Sequence, residues 1–407
     1  MKNKRSSEPI FNDKVIKSIL AIVFGRLVIN ISRRFPYPFV SAIADSFRVP
    51  AENIQNVIAL TNGAGLLSPV LGIISEHYGR KVVMVGMLVM MALMSMLGAV
   101  FADYGVFVVV MFAFGIGKTI YDPTFQAYLG DLVPFGRRAR VMGISELSWA
   151  LSLVIAAPVA GFLLDNSNLQ AVFIFLSVSL ALGAAALLIF VESDERPDHS
   201  HERIRIINPL TAIRTVSAHP PAVFALMYSM CLTLSHELFF INYGLWMEDS
   251  FGLVLTALGT VTIAIAVAEV IGEFIVITVA DRLGTRITSM TGMLIAAICF
   301  FIIPYLSFSL PLAMFAIFIM FIAIETSIVS ALPLFTEILP KSRAVMMSAN
   351  MGAHSLGRVV GAALGAWGYA VSDGNFTTVG LIAGGLGMVA FFIMWRLLPQ
   401  QQNRALY

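Results

Sequence analysis

Twelve apolar runs of membrane-spanning length recur along this chain, and no other feature narrows its possible folds as far. They fall at 15–44, 52–74, 82–101, 106–130, 141–164 and 170–191, then at 221–247, 254–280, 287–306, 311–335, 345–370 and 378–397. A helix crosses a bilayer's hydrocarbon with ~20 apolar residues and satisfies its own backbone polar groups there without water. The chain therefore reads as an all-α polytopic membrane protein with 12 transmembrane helices. Only 12% of its 407 residues are Asp, Glu, Lys or Arg, far below the charged share of a soluble domain. The first run carries Arg26 and continues past it at spanning length, which argues against a cleavable signal peptide. The polar segment after the sixth run divides the chain into an N-terminal six-helix bundle (1–192), a cytoplasmic linker (193–220) and a C-terminal six-helix bundle (221–407).

Lys and Arg concentrate on the cytoplasmic side of short loops. With the N-terminus inside, the bases outside the spans fall in cytoplasmic loops and tails, and Arg48 alone faces outward. The other outer loops carry Asp103, Asp165, Glu248, Asp249 and Asp373. Both termini are expected in the cytoplasm, with the protein in the inner or plasma membrane as a monomer surrounded by lipid. The near balance of 26 basic and 24 acidic residues gives no reason to expect nucleic acid as a partner. Cys231 and Cys299 lie inside apolar runs, so they form neither a disulfide framework nor a metal clamp. His199 and His201 belong to a solvated linker, around which Arg203 to Val216 is amphipathic enough to lie on the inner membrane surface.

The two halves repeat. Shifting the second back by about 205 residues superposes the inner loops, the signature of a duplicated bundle. Glu76-His-Tyr-Gly79-Arg80-Lys81 falls on Asp281-Arg-Leu-Gly284-Thr-Arg286, Asp131-Leu-Val-Pro134 on Glu337-Ile-Leu-Pro340, and Asp45-Ser-Phe47 on Asp249-Ser-Phe251. Two pseudo-symmetric bundles with a cavity between them suit a machine that rocks one half against the other.

At these residues the chain resembles the major facilitator superfamily. The segment Gly72 to Lys81 matches that superfamily's Gly-x-x-x-Asp-x-x-Gly-Arg-Lys loop with Glu76 in place of Asp, and the second copy keeps Asp281. Ala157-Pro158-Val-Ala-Gly161 is similar to the Gly-Pro-x-x-Gly motif of the antiporter branches, with Ala in the first position. The resemblance implies a major facilitator fold, closest to the twelve-helix drug:proton antiporters. One departure is the outer half of helix 4, where many such exporters carry an Arg and Met111 to Phe114 supplies none. Physically, the carboxylate, Gly turn and bases of Gly72, Glu76, Gly79, Arg80 and Lys81, with Asp281, Gly284 and Arg286, form an inner gate able to latch onto helix ends of the other half; alternatively these bases only set topology.

Charges inside the spans need partners, water or a neutral form, since each costs roughly 2.5–3.5 kcal/mol in hydrocarbon. The bases are Arg26, Arg33, Arg34, Lys118 and Arg358; the acids are Asp122, Glu146, Glu237, Glu269, Glu273 and Glu325. Lys118 and Asp122 share a helix face and read as a local pair, or as a substrate contact. Glu269 and Glu273 share a face and a sign, so either one is protonated or a base such as Arg358 reaches them. Glu146 lies close to the inner gate. Arg26, Asn30 and Arg33 form a stripe on helix 1 that is expected to face the cavity, with Arg34 beside it. The repeat places Arg33 opposite Glu237, where it either bridges to that carboxylate or holds an anionic substrate. His236, Asn242 and Tyr243 complete a polar-aromatic substrate face on helix 7.

Glu237 and Glu325 are the leading proton-coupling residues, with Asp122 a third. The resemblance implies this role, since drug exporters often place acids at these points of helices 7 and 10, and burial favours the switch between neutral and charged forms. Gly357, Gly361 and Gly365 are spaced for close helix packing. The chain has no nucleophile elbow, zinc helix or phosphate loop and is not read as an enzyme. The expectation is a proton-coupled secondary transporter that exports small amphipathic or organic compounds by alternating access. A proton-linked symporter, or a carrier of an organic anion or lipid-like substrate, is the alternative. No cofactor beyond the proton gradient is expected.

Overall fold

The computed structural model of the chain describes residues 13–71, 78–133, 135–192, 214–276, 278, 281–339, 342–372 and 374–398. The described residues are helices joined by short turns, with no strand among them. The first half runs α1 (Asp13–Arg34), α2 (Val40–Phe47), α3 (Ala51–Gly63), α4 (Ser68–Leu71), α5 (Arg80–Val100), α6 (Tyr104–Leu132), α7 (Phe135–Asn166) and α8 (Leu169–Phe190). The second runs α9 (Pro220–Phe240), α10 (Tyr243–Phe251), α11 (Leu255–Ile275), α12 (Thr285–Ile302), α13 (Leu310–Ile338), α14 (Arg343–Val371) and α15 (Phe376–Phe392). Among the described residues, ten helical segments are long and apolar enough to cross a membrane. The expected second and eleventh spans fall outside that set. A 3-10 turn at Ala64–Leu67 interrupts one, and α14 carries Arg343, His354 and Arg358. Large apolar side chains such as Leu20, Leu93, Ile189, Phe274 and Phe315 are exposed on the outside, where lipid rather than water is the fitting solvent.

Two expected continuous spans are broken, and the breaks are related by the repeat. The first span leaves the helix between α1 and α2, at Phe35-Pro36-Tyr37-Pro38-Phe39, where each proline lacks a backbone donor. The seventh breaks at Ile241 and Asn242, between α9 and α10. Packing repeats as well. α5 lies on α8 and α6 in one half, as α12 lies on α15 and α13 in the other; α1 contacts α8 and α7, as α9 contacts α15 and α14. Across the halves the principal contacts are α7 with α11 and α3 with α14. Gly357 and Gly361 of α14 let the α9 carbonyls of Met230 and Leu234 approach to 2.7 Å of where a Cβ would stand, so the glycine stripe packs helices closely.

The contacts between halves gather at one end. Gly244 meets the Pro38 carbonyl, Gly259 meets that of Ala157, and Gly161 meets that of Leu255. Asp165 accepts from the Thr256 amide at 2.6 Å, and Gln55 donates to Asn242 Oδ1 at 2.7 Å. At the opposite end, which carries Gly79 and Gly284, no hydrogen bond or ion pair joins the halves among the described residues. The halves are closed on each other at the end of the α1–α3 and α10–α11 turns.

Candidate substrate and coupling site

Helix α1 organises the centre. Its three guanidiniums find different partners. Arg26 is 5% exposed, yet it is fully countered: Nη2 donates to Glu146 at 2.9 Å, Nη1 to the Ser145 carbonyl at 2.8 Å, and Nε lies 3.5 Å from Asp122. Lys118 donates to Asp122 at 2.6 Å and to Asn30 Oδ1 at 2.8 Å. The expected local Lys118–Asp122 pair is present, enlarged by Arg26, and Asp122 thus has two cations beside it. Asn30 also reaches Ser148 at 3.4 Å.

Arg34 makes the strongest bond between halves. Its two terminal nitrogens hold Glu269 of α11 at 2.8 and 2.7 Å, and Nη1 also donates to the Trp149 carbonyl at 2.9 Å. Both members are almost wholly buried. A planar guanidinium matches a carboxylate two bonds at a time. Of the two alternatives for Glu269 and Glu273, protonation of one or approach of a base such as Arg358, the structure brings a base to Glu269, but that base is Arg34.

The expected direct bridge from Arg33 to Glu237 is not made. Arg33 donates to Asn62 Oδ1 at 2.6 Å, and Asn62 passes its own amide hydrogens to Glu237 at 2.9 Å and to Tyr37 Oη at 3.1 Å. Tyr37 donates to Glu237 at 2.6 Å. The physical reason is the break in the first span. Past Arg34 the chain leaves the helix, and Tyr37 swings across to fill the place the repeat assigned to Arg33, stacked on Phe240 at 4.7 Å. Glu237 is consequently buried on two neutral donors from the other half.

Among the helix 7 residues, Asn242 is committed to Gln55 and the Leu238 carbonyl, and Tyr243 meets Thr262 at 3.2 Å. Only His236 stays partly open, lying between Phe240 and Phe321 at 5.6 and 5.3 Å. Glu325 of α13 stands against Gly272 of α11, with its Cβ 2.7 Å from where a Gly272 Cβ would be. It feels Glu269, Glu273, Arg34 and Glu146. Neither Glu325 nor Glu273 has an ion pair or side-chain hydrogen bond among the described residues.

Four residues of this centre have no site role in the sequence reading: Tyr37, Gln55, Asn62 and Trp149, the last read as a core or interface aromatic. Gln55 and Asn62 were visible as amides in an apolar run. Trp149 carries the Arg34 guanidinium 4.4 Å from its ring centre, with Arg358 and the Lys118 amine each at 5.5 Å. One indole thus has three cations around it.

Gly72 and Glu76 of the inner gate lie outside the described residues, as does the Asp281 side chain. Gly79 and Gly284 share one backbone shape, φ 87° and ψ 141° against φ 88° and ψ 141°, open to glycine and strained for other residues. Lys81 then donates to the Leu188 carbonyl at the end of α8, and Arg286 to the Met394 and Trp395 carbonyls just past α15. Arg80 pairs with Asp131 and with the Ala127 carbonyl at 3.0 Å. Through these bonds each base ties its own half to itself.

The model of the Major Facilitator Superfamily matches residues 22–243 and 226–406. The chain is 24% identical over 328 residues to an uncharacterized MFS-type transporter of Bacillus subtilis (strain 168), YceJ, spanning 80% of this chain and 83% of that one. It is 27% identical over 175 residues to the class C tetracycline resistance protein of Escherichia coli, spanning 40% and 42%. Among solved structures it is similar to a D-xylose-proton symporter (TM-score 0.77, 16% identity, 97% of this chain and 100% of that one). It is also similar to a bacterial homolog of the human lysosomal transporter Spinster in an inward-facing, unoccupied conformation (TM-score 0.71, 14% identity, 96% and 100%). At such identities the structures speak for the fold alone, but the family match spans nearly the whole sequence: this chain belongs to the Major Facilitator Superfamily, with its all-α fold and its place among multi-pass membrane transporters.

Proposed function

We propose that the chain is a proton-coupled secondary active transporter that works by alternating access between two six-helix bundles and exports small amphipathic organic compounds. The observation that carries this reading is the state of two intramembrane carboxyls. Glu237 rests on Tyr37 and Asn62, both neutral, and Glu325 has no bonded partner among the described residues. A carboxyl kept in a span without a bonded cation suits a group that takes up and releases a proton. Asp122, held by Lys118 and Arg26, suits that role less well.

Coupling follows from where the partners sit. Glu237 belongs to one half and its two donors to the other, so rocking the halves changes what surrounds it. Glu325 shares its surroundings with Glu269, whose own partner Arg34 is also across the interface. Opening the closed end parts Arg34 from Glu269 and leaves a second negative charge beside Glu325. Conformation and proton occupancy are thereby linked. With the basic loops in the cytoplasm, the closed end faces outward. A tetracycline resistance protein among the relatives fits export of an organic compound.

The test is transport in vesicles with an imposed pH gradient, using a panel of amphipathic dyes and tetracycline. Glu237→Gln and Glu325→Gln should fold and bind, but accumulation should fall at least ~100-fold toward passive equilibration, a loss of about 2.7 kcal/mol of coupling. Full gradient-driven accumulation by both variants would remove the proton role from this pair. The alternative, a proton-linked carrier of an organic anion or lipid-like substrate, was built on Arg33 and Arg34. Arg34 is now committed to Glu269, and a different cation favours that reading.

A further inference from the structure

We infer that the chain holds an anion subsite at Arg358, which takes the carboxylate of a substrate whose flat apolar body lies against the half-buried rings of Trp149 and His236. The inference rests on the transporter reading and names the chemistry of its substrate. Arg358 lies in α14, half-buried, with its guanidinium carbon 5.5 Å from the Trp149 ring centre. Among the described residues it has no ion pair within 4 Å and donates no hydrogen bond. None of its nitrogens is among the buried polar atoms that lack a partner, so the fork keeps some accessible surface rather than being sealed in packed protein.

The other four intramembrane cations are engaged: Arg26 and Lys118 with Asp122, Arg34 with Glu269, Arg33 with Asn62. The charged and titratable groups that Arg358 acts on are Arg33 and Tyr37 of the first half, His236 and Glu237 of α9, and His354 one turn before it on α14. Glu237 is the sole carboxylate of that set, and Arg33 shares it. Two guanidiniums thus face one carboxylate whose oxygen Oε1 is already held by Tyr37 and Asn62.

An asymmetry of chemistry decides what is missing. A lone carboxyl such as Glu325 or Glu273 can become neutral by taking a proton, whereas a guanidinium cannot lose its charge in a protein. A free guanidinium in a span therefore calls for an anion from outside the chain. Its planar fork favours a carboxylate held by two parallel bonds. The aromatic wall is continuous: Tyr37 stacks on Phe240, and His236 lies against Phe240 and Phe321. Phe240 and Phe321 are themselves buried, so the face they leave to a ligand is the half-buried ring of His236, which feels the Arg358 charge.

The experiment is titration calorimetry on the purified full-length protein at fixed ionic strength. The probes are two matched pairs, 2-naphthoate with 2-naphthamide and benzoate with benzamide, and chloride as a competitor. The unmodified protein should bind the carboxylates at least ~10-fold tighter than their amides, about 1.4 kcal/mol. Arg358→Gln should erase that preference and leave amide binding within about twofold, while Arg358→Lys keeps part of it. The unmodified protein's preference requires no variant, so poor folding of either variant does not protect the inference. Equal binding of carboxylate and amide in both pairs would overturn it. So would chloride binding at Arg358 without any carboxylate preference, which would make the site one for inorganic anions. Dye accumulation in the vesicle assay continuing beside equal binding would sink the subsite and leave the transporter reading in place; a carboxylate preference without gradient-driven transport would do the reverse.

Discussion

The charges on α1, α6 and α7 and those on α11, α13 and α14 meet at the same centre under different terms. In the first group Arg26, Lys118, Asp122 and Glu146 answer one another directly, and Asn30 closes the network. In the second group only Glu269 is answered, by Arg34 from across the interface, while Glu273, Glu325 and Arg358 lack bonded partners among the described residues. Fully paired charges hold a shape and resist change. Unpaired ones respond to a proton, a ligand or a shift of the opposite half. Apart from Arg33, which rests on the neutral Asn62, the first half thus supplies a fixed wall, and the second the groups that respond.

The sharpest way to break this contrast is one chemical change made at two neighbouring carboxyls. Glu269→Gln strands Arg34 in a site where it is 2% exposed, so it should cost about 3–5 kcal/mol of stability. Replacing both partners, as in Arg34→Met with Glu269→Leu, should recover most of that loss. Glu325→Gln removes no bonded partner and should change stability by less than about 1 kcal/mol. Chemical unfolding in micelles followed by near-ultraviolet circular dichroism measures all three. Equal losses for the two Gln variants would mean that Glu325 is as structurally engaged as Glu269, and the division between fixed and responsive charge would fall.

How much of this was legible depends on which dimension is asked about. Position along the chain follows from hydropathy and from the repeat, so ten of the twelve expected spans and the matching Gly79 and Gly284 turns were legible. Rotation about each helix was not. Arg33 and Arg34 are neighbours in sequence, yet they point to different partners, one to Asn62 and one to Glu269. Hydropathy has no information on which. The prolines at 36 and 38 signal a break, but that the break delivers Tyr37 to Glu237 follows only from the packing of two half-spans. Nor does any residue type announce the interruption at Asn242; its partner in the repeat is the clue, because the first span breaks at the matching place.

The contrast also predicts what moves. The closed end is held where backbones touch with no room for a side chain, and Gly259 against the Ala157 carbonyl is one such place. Gly259→Val should overpack that contact by about 1–3 kcal/mol. This is enough to shift the population strongly toward opening that end, which would also part Arg34 from Glu269. Electron resonance distances between spin labels on Asn166 of α7 and Thr256 of α11 should lengthen. Distances that stay put, with stability lowered instead, would mean the halves are held by the buried ion pair rather than by close backbone packing.

The smallest expected effect lies at the end of the basic loops, where the two halves should behave alike. Lys81 and Arg286 occupy matching positions after matching glycine turns, and each donates to carbonyls at the end of its own half's last helix, Leu188 in one case and Met394 with Trp395 in the other. Helix-end carbonyls lack intrahelical donors and face the negative end of the helix dipole, so a cation there is worth about 0.5–1.5 kcal/mol. Lys81→Met and Arg286→Met should each cost about that much, with Arg286 at the upper end because it makes two bonds. If these bases only cap their own halves, transport should be nearly unchanged in both variants once expression is matched. If they also latch that end shut in another part of the cycle, turnover should drop several-fold in both while stability moves no further. A several-fold drop in one variant alone would break the equivalence of the two halves at this end and assign the latch to a single loop.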